Sequence, residues 1–204
     1  MALKKTFQIM KILKIFIFIS MVGCSSPSHI IENPYQLGVD FSSGKWLLNT
    51  IDAPPDIITK LQEKVIKDFT KKLNNRFTYY PESPNLLIPQ KIKTQPNKNL
   101  LKAIHSSTNY DFLINFKAGK IEPNMSIKAS LQPGQNSIFN NKSGYVVMEI
   151  YDLKSEEIIY SQKVIASVNH SIKNNDVNIS ESINNLIIFA YKKLFEHLEK
   201  KSTL

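Results

Sequence analysis

The chain of 204 residues holds one cysteine (Cys24), one arginine (Arg76), one tryptophan (Trp46) and six glycines. A lone cysteine excludes an internal disulfide and a thiolate metal site, so stability has to come from a packed core. One arginine among 26 basic residues speaks against nucleic acid as a partner, because base and phosphate readout leans on the bidentate guanidinium. No dense basic patch interrupts the chain either. The abundance of lysine, asparagine and isoleucine reads as AT-rich coding. No phosphate-binding glycine loop, Gly-x-Ser-x-Gly run or paired-carboxylate spacing occurs. His29, His105, His170 and His197 have no ligand-spaced partner, so no metal is expected. With no nucleophile and base to pair, and no cofactor motif, an enzyme is not expected. Beyond the N-terminal segment, no apolar run is long enough to cross a bilayer.

The N-terminus is what stands out. Lys4, Lys5, Lys11 and Lys14 precede a short apolar run ending at Ile19, the pattern of a secretory signal rather than a membrane span. Met10 opens an equally good basic region and is a second candidate initiator. The segment Met21-Val22-Gly23-Cys24, followed by Ser25-Ser26-Pro27-Ser28, resembles the lipobox of bacterial lipoproteins, with Met21 where leucine is usual. That resemblance implies a diacylated Cys24 thiol, cleavage just before it and acylation of the new amino group. Residues 1–23 are then a signal peptide, 24–36 a lipidated tether rich in Ser, Pro and Asn, and 37–204 a single folded domain. The chain from Cys24 onward keeps 22 basic and 17 acidic residues, since the signal holds four lysines and no carboxylate. Ser25 in place of aspartate points to the outer membrane where two membranes exist.

Periodicity predicts an α/β domain in the order β-α-β-α-β-β-β-α, with helices packed on a mixed sheet. Residues 44–51 read as a strand stopped by Pro54-Pro55. From Asp56 onward Ile57, Leu61, Val65, Phe69 and Leu73 recur at helical spacing with lysines between them. Residues 76–80 form a short strand, and 81–96 a proline-studded loop. Asn97 is the expected N-cap of a second helix through about Ser107, which leads into a strand over 110–116 with bulky residues on both faces. Residues 123–143 look like an irregular excursion or an edge hairpin. Strands over 145–151 and 158–168 make a hairpin. The last helix carries Ile183, Leu186, Ile187, Ala190, Leu194 and Leu198 as a stripe, with Asn178 and Glu181 resembling a capping box.

Two segments carry a family likeness: Asn109-Tyr110-Asp111-Phe112-Leu113-Ile114-Asn115 after the second helix, and Val147-Met148-Glu149-Ile150-Tyr151-Asp152-Leu153-Lys154 closing a strand on Asp before a turn. In these and in element order the chain resembles the small α/β domain of the penicillin-binding-protein activator lipoproteins, the curli-secretion lipoprotein and the N-terminal domain of the Tol-system propeller protein. Tyr110 and Asp111 stand in reversed order relative to those domains, and the usual turn glycine is absent. Gly44-Lys45-Trp46-Leu47-Leu48 and the Cys24-Ser25-Ser26 start also resemble uncharacterised Bacteroidota lipoproteins. The resulting expectation is a membrane-anchored envelope lipoprotein, a non-enzymatic docking module for another envelope protein. The alternative is a small-ligand or glycan-binding lipoprotein, with the loops at 81–96 and 123–143 around an aromatic floor. Trp46, Tyr79 and Tyr80 are the candidate recognition surface, weighed against a core role. Asp111, in an apolar strand, is either a perturbed carboxylate or an acceptor of backbone N–H groups, the second being the commoner role at such a junction.

Overall fold

Ser28 to Glu32 form a strand, where composition predicts an extended tether. The computed structural model describes residues 27–33, 36–82, 89, 91–121, 142–168 and 182–203. Its elements are β1 (Ser28–Glu32), β2 (Trp46–Leu48), α1 (Ile58–Leu73), β3 (Phe77–Tyr79), α2 (Lys98–Ser107), β4 (Phe112–Ile121), β5 (Lys142–Asp152), β6 (Glu157–Val168) and α3 (Ile183–Lys201). They build one α/β domain with a six-stranded mixed sheet in the order β1-β6-β5-β4-β2-β3. β2 runs parallel to β3 and β4, while β4, β5, β6 and β1 form an antiparallel run. The expected order therefore holds, with β1 added at the N-terminal side.

The tether expectation fails for 28–32 because the β6 edge offers an unpaired row of N–H and C=O groups. Five residues pair with it, from Ser28↔Ser167 to Glu32↔Lys163. Ile31 turns onto the core, Lys163 Nζ meets Glu32 Oε1 at 2.8 Å, and the Gln162 amide donates to the Glu32 carbonyl.

Strand alternation puts successive side chains on opposite faces, and the two faces differ. One carries Trp46, Leu48, Ile114, Phe116, Val146, Met148, Ile150, Tyr160 and Val164 beneath α1 and α3. Phe69 of α1 sits at the centre of that core, with the rings of Phe41, Phe77, Phe116 and Phe195 at 5.4–6.4 Å. The other face has a smaller core of Leu47, Leu113, Tyr151 and Leu153 beneath Leu101 and Ile104 of α2.

Chain ends of the elements follow ordinary capping chemistry. Asn97 caps α2 as expected, its side chain accepting the Leu100 N–H at 2.8 Å. The expected capping box of α3 is corrected: Ser182 is the N-cap, accepting the Asn185 N–H at 3.2 Å, while Asn178 and Glu181 lie outside the described residues. The 123–141 part of the expected excursion lies outside them as well. Gly44 takes φ +78°, and a Cβ there would meet Phe112 Cε2 at 2.5 Å, so this position needs glycine twice over.

Candidate docking face

α2 covers its side of the sheet only at Leu47 of β2, Leu113 of β4 and the Tyr151 end of β5. Among the described residues no helix covers the same side of the rest of β5, or of β6 and β1. Register places the side chains of this open face in transverse rows. Asn115, Glu149 and Ser161 stand opposite one another, and so do Lys117, Val147, Lys163 and Glu32. Beyond them come Gly119, Tyr145, Ile165 and Ile30, and then Ile121, Ser143, Ser167 and Ser28.

The first row is closed by chain. Asn49 Nδ2 donates to the Ile92 carbonyl at 2.7 Å, Asn115 Nδ2 to the Lys93 carbonyl at 3.3 Å, and Gln95 N–H to Glu149 Oε2 at 3.1 Å. Three buried polar side chains, Asn49 just after β2, Asn115 on β4 and Glu149 on β5, thus pin residues 92–95 across the sheet. Tyr151 donates to Glu149 at 2.7 Å. Burial raises the Tyr151 phenol well above its ordinary value, and the carboxylate it donates to raises it further.

The third row is apolar and open. Ile30 is 65% exposed, and Ile165 and Tyr145 are half-buried. Tyr145 lies across Gly119, where a Cβ would come within 2.8 Å of its ring, and Lys163 Nζ stands 6.0 Å from that ring. Lys117 is exposed beside the row, whereas Lys163 is paired with Glu32. The result is an apolar strip with Lys117 and the Lys163–Glu32 pair at its border, on antiparallel strands whose other side is packed under the helices.

A second feature is a cavity of about 520 Å³ at the N-terminal ends of the parallel strands. Lys45, Arg76, Thr78, Ser107, Asn109 and Tyr110 are among its lining residues, and no carboxylate is. Arg76 is held there by donating to the carbonyls of Phe41 (2.6 Å) and Gly44 (3.2 Å).

The expected recognition aromatics do not form a surface. Trp46 is fully buried, stacks on Phe112 at 4.2 Å and donates its indole N–H to Ser43. Tyr79 is 6% exposed and donates to Gln62 Oε1, and Tyr80 packs on the smaller core. Packing turns these rings inward, so Trp46, Tyr79 and Tyr80 form no aromatic floor for a ligand. Asp111 resolves as a brace: its Oδ2 accepts the Lys45 N–H at 2.7 Å. His29 packs edge-on against Phe189, and His105 Nδ1 is 3.3 Å from the Tyr110 carbonyl. Among the described residues no three His, Cys, Asp or Glu side chains cluster to hold a metal ion, and no helix is long and apolar enough to cross a membrane. Cys24 and His170 lie outside the described residues. What the sequence reading missed is the open face itself, whose only local signal is the alternation of Tyr145 and Val147 with Val146 and Met148.

No known family profile and no curated protein sequence matches the chain. Solved structures that the chain resembles in part include the PelC dodecamer from Paraburkholderia phytofirmans, at 8% identity and TM-score 0.44 over 88% of this chain and 100% of that one. Lipoprotein GNA1162 from Neisseria meningitidis is similar at 6% identity and TM-score 0.41, over 76% and 99% of the two chains. The LpoB C-terminal domain from Escherichia coli is similar at 13% identity and TM-score 0.35, over 62% and 83%. Identities and TM-scores this low carry no argument about this chain.

Proposed function

We propose that this protein is a cell-envelope lipoprotein, held by acyl chains on Cys24, that acts without catalysis as a docking module for another envelope protein. The observation that carries the docking role is the strip Gly119–Tyr145–Ile165–Ile30 on the open face, an apolar row in which Ile30 is exposed and Tyr145 and Ile165 are half-buried. The matching partner surface is an apolar strip bordered by carboxylates, because Lys117 stands exposed beside the row. The free edge of β1 extends this surface by offering backbone groups for strand addition. The anchor rests on the lipobox-like Met21-Val22-Gly23-Cys24, and Ser25 after it supports the outer membrane. Chemical cross-linking in intact cells followed by affinity capture tests the docking role. One partner should be recovered with the native chain and lost with Ile165→Asp. A chain that stays partnerless at native abundance would contradict it.

The cavity at Lys45 and Arg76 favours a second reading, a receptor for a small polyhydroxylated ligand such as a cell-wall sugar. Its hydroxyl, amide and cationic lining suits such a ligand. Thermal-shift measurements against cell-wall fragments separate the two readings, since a bound ligand raises the melting temperature by mass action.

A further inference from the structure

We propose that the outer surface of the α1–α3 layer rests on a membrane bearing anionic phospholipid headgroups, so that the open sheet face points away from the bilayer. The two helices carry nine lysines, Lys60, Lys64, Lys67, Lys71 and Lys72 on α1 and Lys192, Lys193, Lys200 and Lys201 on α3, against four carboxylates. That excess of five equals the whole excess of the chain after Cys24, whose remaining residues carry 13 basic and 13 acidic groups. The fold therefore concentrates on one layer a charge that composition alone spreads over the chain. Three of the four carboxylates are taken up in the pairs Lys64–Asp68, Lys72–Glu199 and Lys193–Glu196. Lys60, Lys67, Lys71, Lys192, Lys200 and Lys201 stay exposed.

The helices run side by side in the same direction, joined from Asn184 Nδ2 on the Asp56 carbonyl, through Tyr191 on Asp68, to Lys72 on Glu199. All nine lysines thus belong to one layer roughly one helix long. The leash is short as well. β1 starts at Ser28 and its His29 ring meets Phe189 of α3 at 5.8 Å, so the chain leaves the domain at the border of the helix layer. Four residue steps separate Cys24 from Ser28, at most about 14 Å when fully extended. That is less than twice the screening length of about 8 Å near physiological salt, and the leash reaches it only when fully extended, so a domain on it stays within reach of the headgroup field.

The orientation rests on the Cys24 anchor proposed above, and the experiment separates the two. The chain purified from the bacterial envelope is offered to nanodiscs of zwitterionic lipid and to nanodiscs with added phosphatidylglycerol, and lysine acetylation is mapped by mass spectrometry. The expected result is entry into both discs, with Lys60, Lys67, Lys71, Lys192 and Lys200 protected several-fold only in the anionic discs at low salt. Lys98 and Lys102, exposed on α2 on the opposite side of the sheet, should label equally in both. Entry into both discs with no difference in labelling would overturn the orientation while leaving the anchor standing, as would protection of Lys98 and Lys102. Capture and protection by anionic discs alone would support the surface and overturn the anchor, and binding to neither would overturn both. In Lys67→Glu/Lys71→Glu/Lys192→Glu, protection of Lys60 and Lys200 should disappear while entry into zwitterionic discs persists.

Discussion

Replacing Gly44 by alanine should destabilise the domain by about 1–2.5 kcal/mol. The left-handed backbone at φ +78° costs an L-residue about 1–2 kcal/mol. The new Cβ would lie 2.5 Å from Phe112 Cε2 and 3.0 Å from Cδ2, so the ring has to move. That ring stacks on Trp46 at 4.2 Å with a 25° interplanar angle, and loss of such a contact costs about 0.5–1.5 kcal/mol. Restricting the unfolded chain returns roughly 0.4–1 kcal/mol. At about 2–4 °C per kcal/mol for a domain of this size, the melting temperature should fall by about 2–10 °C. Trp46 is the only tryptophan and is fully buried, so its emission reports urea unfolding without engineering. Gly44→Ala/Phe112→Leu removes the clash but keeps the backbone strain, so the two changes should cost less together than the sum of each alone. A midpoint for Gly44→Ala equal to or above that of the native chain would refute the reasoning.

Three further outcomes follow from other parts of the molecule. Glu149→Ala deprives the Tyr151 hydroxyl of its buried acceptor and leaves the Gln95 N–H only the Tyr151 oxygen, which should cost about 1–3 kcal/mol and speed tryptic cleavage after Lys91 and Lys93, read by mass spectrometry. Tyr151, Tyr160 and Tyr191 have phenols raised by burial above the unfolded value of 10, so their contribution is fully present below pH 10 and is lost as pH climbs beyond it. Phenolate absorbance of these three should therefore appear together with loss of Trp46 burial in a single alkaline transition, and independent titration would contradict the burial argument. Cys24→Ala should abolish incorporation of labelled palmitate and release the chain from membranes, since three acyl chains bind far more tightly than the single chain that gives marginal anchoring. Retention of the variant on membranes after a high-salt wash would place the anchor elsewhere.

The helices were legible because each is long enough to show its stripe: Leu61, Val65, Phe69 and Leu73 in α1 are all buried, as the spacing requires. The hairpin of β5 and β6 was legible for the same reason at period two. β1 was not, since Ser28-His29-Ile30-Ile31-Glu32 is short, sits among polar residues and owes its conformation to β6, more than 130 residues away. Distance also hid the role of Asp111, whose acceptor oxygen meets the N–H of Lys45. Trp46 and Tyr79 could be read either way from sequence, and burial decides for the core. The open strip was illegible in principle, because Gly119, Tyr145, Ile165 and Ile30 become neighbours only once register is set.

Site-specific photo-cross-linking in living cells tests the docking account most directly. A photoreactive residue is placed in turn at Tyr145, Ile165 and Ile30 on the open strip, and at Lys102 on the outer side of α2. The account predicts that the three strip positions trap the same envelope protein, that Lys102 traps none of it, and that Lys117→Glu weakens the adduct. Trapping of that protein from Lys102 and not from the strip, or no adduct at any strip position, would contradict it.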